Sequence, residues 1–245
     1  MPLRPATRPY RLPHPGWILL AALCACQPQP TGAPRGADLT TPGEGWPGHD
    51  YEAAALAGKP VFELDRGNTQ IEIVVRREGP LARFGHDHVV TLRDPEGFLE
   101  LDGRGSGVRA DLRFPVARLL IDSEEARERH QLATEPDAQD IEGTRNNLME
   151  HVLDADHWPW ASLTMTSFRH RDDRHSALVG IAVRGSGYSE VQPFRLSQAD
   201  GRVVVEGFFL LRQTELGLEP FSALGGGLRV ADAMEVHFRI EAVRY

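Results

Sequence analysis

The chain has 245 residues, of which 41% are hydrophobic and 25% are charged, a balance typical of a globular protein with a hydrophobic core. Its formal net charge is −8 and it has no run of basic residues, so it lacks the positive surface that nucleic-acid binding requires. Both cysteines, Cys24 and Cys26, lie near the N-terminus, which excludes disulfides and thiolate metal sites from the rest of the chain.

The first 25 residues have the features of a targeting segment. Arginines precede a short apolar run at 17–23, which is far shorter than the ~20 residues that span a bilayer. The tetrad Leu23-Cys24-Ala25-Cys26 resembles the bacterial lipoprotein signal. That resemblance implies a signal peptide over residues 1–25, acylation of Cys26 and a periplasmic, membrane-anchored location in the cell envelope. Plain secretion after cleavage nearby is the alternative.

Residues 26–59 are rich in proline and glycine, beginning with Gln27-Pro28-Gln29-Pro30. A segment of this composition buries too little apolar surface to offset the entropy lost on ordering. We therefore predict a disordered tether over residues 26–59, with a helical turn or two at 51–57, and a folded domain over residues 60–245.

From residue 60 onward, most segments alternate apolar and polar residues, as half-buried β-strands do. In the segment 70–76, Ile71, Ile73 and Val75 share one face. Glycine and aspartate mark tight turns at 184–187 and 199–201. The pattern predicts nine or ten strands in a single antiparallel barrel or sandwich. The predicted strands span 61–64, 70–76, 98–101, 108–114, 161–168, 177–183, 188–196, 202–211 and 234–243. Residues 116–121 are predicted either to continue the strand at 108–114 or to pair with it.

The strand pattern is interrupted at about residues 123–153 by two charged segments with helical spacing. In the second segment Ile141, Leu148 and Val152 form one apolar stripe, and Asp140 is the expected N-cap. We predict a short helical insertion that lies across one end or side of the sheet.

The segment Gly85-His86-Asp87-His88 lies between two predicted strands. If it is extended, His86, His88 and Phe84 point to the same face. Two imidazoles on one face could bind a metal ion, contact a polar ligand group, or form hydrogen bonds within the barrel wall. A metal site would need further ligands. The candidates are Asp87, His151, Asp154 and His157.

Residues for nucleophilic catalysis are not arranged in a known motif. Ser222 does not lie in a Gly-x-Ser-x-Gly turn, and no predicted helix follows the glycines at 225–227 to bind a phosphate. We therefore predict a loop at 225–227, no catalytic site, and a protein that is not an enzyme.

The order of four motifs along the chain carries a family resemblance. The motifs are Gly85–His88, the segments 116–122 and 152–159 (the latter running into Leu163-Thr164-Met165), and the glycine-containing segment 216–228. In this order they resemble the YceI-like, polyisoprenoid-binding family over roughly residues 60–245. The resemblance implies an all-β fold, an antiparallel lipocalin-like β-barrel, whose cavity holds an isoprenoid chain such as a polyprenyl compound or a quinone. We predict no cofactor and no metal site.

An apolar inward face fits a hollow channel and a filled core equally well, and the resemblance favours the channel. The predicted function is therefore a cell-envelope lipid-binding protein that sequesters or carries an isoprenoid-like amphiphile, with homodimerisation as a further expectation. The alternative is a metal-binding protein or metal-dependent enzyme that uses His86 and His88. The predicted ligand-binding residues are His86, His88, Phe84, Ile71, Ile73, Leu163, Met165, Phe208, Phe221 and Phe238.

Overall fold

The computed structural model describes residues 45–102, 108–171 and 174–245. The signal peptide predicted over residues 1–25, the acylation of Cys26 and the tether up to residue 44 lie outside these ranges, so they stay predictions. Within the described ranges, no helix has the length and apolar character needed to cross a membrane.

In the described residues, twelve strands form one antiparallel sheet. Eight of them, in the order β1-β4-β5-β7-β8-β9-β10-β12, close into a ring because β12 pairs with β1 as well as with β10. The predicted antiparallel lipocalin-like barrel is therefore confirmed. The strands are β1 (Val61–Leu64), β2 (Gln70–Glu78), β3 (His88–Thr91), β4 (Glu96–Leu101), β5 (Val108–Pro115), β6 (Leu120–Ile121), β7 (Trp160–Arg171), β8 (Arg174–Val183), β9 (Ser186–Ala199), β10 (Arg202–Arg212), β11 (Ser222–Ala223) and β12 (Leu228–Arg244).

The two ends of the barrel differ because two strands share one edge of β12. Residues 242–244 of β12 pair with β1, which continues the ring through β4. Residues 229–239 pair instead with β2, which is followed by β3 and then β6. The ring is thus complete at one end, and the branch β2-β3-β6 forms the wall toward the other.

Within the part of the chain that the structure describes, three helices accompany the barrel: α1 (Gly48–Leu56), α2 (Glu124–Arg129) and α3 (Ala138–Asn146), the last continued by a π turn over Asn147–Val152. Single 3-10 turns lie at 82–84, 116–118, 214–216 and 224–226. The helical insertion predicted at about 123–153 is therefore present. Its second helix begins earlier than expected, because Asp137, rather than Asp140, is the N-cap. The Asp137 side chain accepts hydrogen bonds from the backbone of Gln139 and Asp140, and the Asp140 side chain accepts one in return, a capping box.

The predicted tether extends too far toward the barrel. Its last part contains α1, whose Tyr51 side chain is fully buried. The Tyr51 hydroxyl donates to Asp111 at 2.6 Å, and the ring stacks on Phe98 with centroids 5.2 Å apart. The helical turn predicted at 51–57 is thus present as part of α1, but composition averaged over the segment did not reveal that the Tyr51 ring attaches it to the barrel wall.

The prediction for residues 116–121 is also wrong, because this segment neither continues β5 nor pairs with it. After Pro115 the chain makes a 3-10 turn at 116–118, and β6 pairs with β3 rather than with β5.

By contrast, both predicted hairpin turns are present. Arg184-Gly185 and Asp200-Gly201 have positive φ at both positions, as tight hairpin turns require.

The attachment of α1 is testable by substitution of Tyr51. We expect Tyr51→Ala to lower the free energy of unfolding by about 3 kcal/mol, since it removes a buried aromatic ring. Tyr51→Phe should lower it by about 1–2 kcal/mol, since it leaves the Asp111 carboxylate without its hydroxyl donor. Urea unfolding measures both. Leu56→Ala is the control on the same helix, because Leu56 is 91% exposed. A loss for Tyr51→Ala as small as that of the control would contradict the packing of α1.

Candidate functional site

The barrel interior contains a cavity of about 710 Å³. Its walls are inward-facing aliphatic and aromatic side chains, and α3 covers one side of its mouth. A smaller compartment of about 110 Å³ lies further inside. The interior is therefore hollow rather than a filled core. Representative wall residues are Ile73, Val90, Phe114, Leu163, Leu216 and Val236.

His88 lines the cavity, and a buried ion network fixes its position. Its Nδ1 atom lies 2.6 Å from Oδ2 of Asp122, and its Nε2 atom lies 3.4 Å from Oγ1 of Thr144. The fully buried Asp122 carboxylate also accepts hydrogen bonds from the Val89 backbone at 3.0 Å and from Arg127 at 2.6 Å. The network therefore joins β3 to α2 and leaves His88 little freedom to turn.

Two opposing effects act on the pKa of Asp122. Burial raises it, but hydrogen bonds from His88, Val89 and Arg127 outweigh burial and bring the pKa below its ordinary value. The carboxylate consequently stays charged, and Arg127 balances that charge. Arg127 also donates to the backbone carbonyl oxygens of Asp87 and Thr134, which fixes the loop before α3.

His86 also lines the cavity, but it is less restrained than His88. The two rings have centroids 6.2 Å apart. The Nε2 atom of His86 lies 3.3 Å from Oδ2 of the half-exposed Asp140. Its Nδ1 atom is buried and has no hydrogen-bond partner among the residues that the structure describes. Because a buried polar atom without a partner is costly, a rotation of the ring that brings this atom to a polar ligand group would be favourable.

Helix α3 supplies polar residues to the mouth that sequence reasoning missed. Asp140 and Thr144 of α3 line the cavity together with Asn147, the first residue of the π turn, and their spacing places them on one face of this helical segment. This spacing is the signal that could have identified them. It was overlooked because polar residues on a charged segment suggest a face in contact with solvent.

Most of the predicted ligand-binding residues lie along the interior. Met165 and Phe238 line the smaller compartment, and Phe84 lies at the mouth with an exposed side chain. The predicted residues that line the larger cavity are Ile71, Ile73, Phe84, His86, His88, Leu163 and Phe221.

Phe208 is the exception, and its prediction is wrong. It lies on the outer face of the barrel, is 48% exposed, and contacts His237 with ring centroids 4.8 Å apart. Its neighbour Phe209 is buried and lines the cavity instead. Strand β10 carries apolar residues on both faces, so the sequence alternation did not identify which face is inside.

The metal hypothesis finds no ligand set in the described part of the chain. No three His, Cys, Asp or Glu side chains there are arranged to hold a metal ion. Of the further ligands considered, His157 pairs with Asp154 at 2.7 Å on the exposed surface. Asp87 accepts a hydrogen bond from the backbone of Arg77 at 3.0 Å.

No known family profile and no curated protein matches this sequence, whereas solved structures do. BcnA of Burkholderia cenocepacia is similar with a TM-score of 0.53 and 10% identity, over 74% of this chain and 99% of BcnA. A polyisoprenoid binding domain from Saccharophagus degradans, implicated in plant cell wall breakdown, also has a TM-score of 0.53 and 10% identity, over 76% of this chain and all of that domain. A Campylobacter jejuni YCEI protein has a TM-score of 0.47 and 12% identity, over 64% of this chain and 84% of that protein. The first two likenesses show that this chain has the barrel fold that the sequence resemblance predicted.

The pH dependence of stability tests the Asp122 network. Because folding lowers the pKa of Asp122, the carboxylate stabilises the fold above its unfolded-state pKa of about 3.9, and this contribution is lost as the pH falls through the lower folded-state value. We expect Asp122→Asn to cost about 3 kcal/mol at neutral pH, since it leaves Arg127 buried without its charge partner. The difference from wild type should shrink below about pH 4, as measured by urea unfolding across pH.

Asp94→Asn is the matched control for this experiment. Asp94 has a positive φ close to that of Asp122, but it is exposed and pairs with Arg118 at the surface, 3.1 Å away. Its replacement should change stability by less than about 0.5 kcal/mol. A cost for Asp122→Asn that stays constant over this pH range would contradict the proposed charge state.

Proposed function

We propose that this chain, whose barrel has the YceI-like fold, binds a lipid-like amphiphile in its interior. The apolar tail lies in the cavity and the polar head lies at the mouth beside α3. The observation that carries the proposal is the cavity of about 710 Å³. Most of its wall is apolar, and α3 contributes polar residues at the mouth. The proposed role is binding and carriage, with no chemical step.

The walls support an apolar tail because they offer water few hydrogen-bond partners. Water that enters such a cavity makes few hydrogen bonds with its walls, so an apolar guest that displaces this water is favoured. Each methylene group moved from water into such a cavity contributes about 0.8 kcal/mol. A chain of ten or more carbons would therefore gain enough from burial to offset the cost of immobilising it.

The mouth supports a head with hydroxyl or carbonyl groups. The Nδ1 atom of His86, which has no partner among the described residues, can donate or accept one hydrogen bond once the ring turns it toward the cavity, depending on its tautomer. Asp140, Thr144 and Asn147 add acceptors and donors on the facing helix. His88 is already held by Asp122, so we assign it to the wall rather than to head recognition.

The chemical class of the ligand and the location of the protein rest on the motif resemblance together with the fold. One structure with this fold is described as a polyisoprenoid binding domain. We therefore propose membership of the YceI-like family and an isoprenoid-like ligand, a polyprenyl compound or a quinone. We further propose attachment to the membrane of the cell envelope through an acylated Cys26, on the periplasmic side.

Native mass spectrometry of the purified protein, followed by organic extraction, tests the proposal. One amphiphile per chain should co-purify or bind on titration. Gly143→Phe provides a site-directed test, because Gly143 lines the cavity and a Cβ atom there would have open space around it. The new ring should obstruct the mouth and lower ligand affinity at least tenfold.

Gly143→Ala is the matched control for Gly143→Phe. Both substitutions replace a glycine inside α3, so both should stabilise the helix, by about 0.5–1 kcal/mol for alanine. Alanine is too small to obstruct the cavity, and its ligand affinity should equal that of wild type. Wild-type affinity in Gly143→Phe would place the ligand elsewhere and contradict the proposal.

The role of His86 is tested with two ligands of similar length. We expect His86→Ala to weaken binding of an isoprenoid alcohol about fivefold, equivalent to one hydrogen bond of about 1 kcal/mol. Binding of an isoprenoid hydrocarbon without a head group should be unaffected. Isothermal titration of both ligands measures the difference, and the exposed His157→Ala serves as control. Equal losses for both ligands would mean that His86 acts only through packing.

A further inference from the structure

The hollow interior is divided into two compartments in series. The larger, about 710 Å³, contains the mouth, and the smaller, about 110 Å³, lies beyond it. Both are lined by the same four side chains, which therefore form the partition between them. These are Ile71, Leu163, Phe209 and Val236.

Phe209 is the largest side chain in the partition, and the packing behind it fixes its position. Its ring centroid lies 6.1 Å from that of Phe238, which lines the smaller compartment. Phe238 lies close against the backbone of β10, because a Cβ atom on Gly207 would be 2.6 Å from the tip of the Phe238 ring. The glycine thus admits Phe238 to the barrel wall, and Phe238 in turn supports Phe209.

The far side of the smaller compartment is a packed apolar cluster. Phe62, Leu99, Phe194, Val203 and Ala242 are all buried there and belong to one contiguous core. This cluster lies at the end of the barrel where the eight-stranded ring is complete. A ligand tail that enters through the mouth therefore meets Phe209 first and the packed cluster next.

The volumes set a length for the ligand. At the ~30 Å³ that one water molecule occupies in the liquid, a cavity of about 710 Å³ holds roughly two dozen non-hydrogen atoms. A polyprenyl alcohol of four isoprene units has about that many. By the same measure, the smaller compartment of about 110 Å³ adds room for about four atoms, close to one more isoprene unit.

We propose that Phe209 limits the tail of the bound amphiphile to about four isoprene units. The inference rests on the proposed function and deepens it, because it names a short-chain isoprenoid as the substrate class and Phe209 as the residue that determines it. Because the tail cannot pass the partition, a longer chain keeps its head outside the mouth and loses the polar contacts there, so longer chains bind more weakly. Removal of the Phe209 ring merges the compartments and admits a fifth unit.

A series of polyprenyl alcohols with ten, twenty, twenty-five and forty-five carbons tests the proposal in a competition assay. Wild type should prefer the twenty-carbon alcohol, and it should bind the forty-five-carbon alcohol at least tenfold more weakly. In Phe209→Ala the affinity for the twenty-five-carbon alcohol should rise at least fivefold relative to the twenty-carbon alcohol. Phe209→Leu is a milder second variant that should shift the preference in the same direction.

Phe208→Ala is the matched control, since it removes the same side chain one position away on the outer face of β10. Its length preference should equal that of wild type. A wild-type profile without a length limit, or one that is unchanged in folded Phe209→Leu, would overturn the role of Phe209 while lipid binding stands. Failure of wild type to bind any alcohol of the series would overturn the proposed function and the inference together.

Discussion

The barrel depends on the pairing of β12, the strand of 17 residues that ends at Arg244. One of its edges pairs with β10, and the other pairs first with β2 and then with β1. Because β1 continues the ring and β2 begins a branch, one end of the barrel is closed while the other is left for helices and loops to complete. The location of the cavity mouth follows directly from this division of one strand edge.

The mouth combines a rigid wall with a helix that adds chemistry. On the wall, a buried carboxylate and a buried guanidinium hold His88, so that residue is structural although it is a histidine on the cavity surface. On the opposite side, α3 offers polar groups, and His86 lies between the two, with one nitrogen that has no hydrogen-bond partner among the described residues. Two histidines two residues apart thus have different tasks, because only one of them has a buried carboxylate as partner.

The fold was predictable because strand alternation and turn residues are local signals. Ile71, Ile73 and the Asp200-Gly201 turn specify a strand and a hairpin without reference to the rest of the chain. The choice between Phe208 and Phe209 was not local, since both faces of β10 are apolar and only ring closure decides which is inside. The same holds for Tyr51, whose burial depends on the distant Phe98 and Asp111. The polar face of α3 lines the cavity only because the chain returns it to the barrel mouth.

The closure of the barrel by its first and last strands has a consequence for the kinetics of folding. Phe62 pairs with Arg244, so the contact that completes the ring joins residues almost at opposite ends of the folded chain. Contacts of such high sequence separation form slowly, because a large loop must be closed before any pairing energy is gained. The ring cannot close before β12 is in place. Until then the folding chain keeps unpaired strand edges, the form in which a β-protein is most exposed to aggregation.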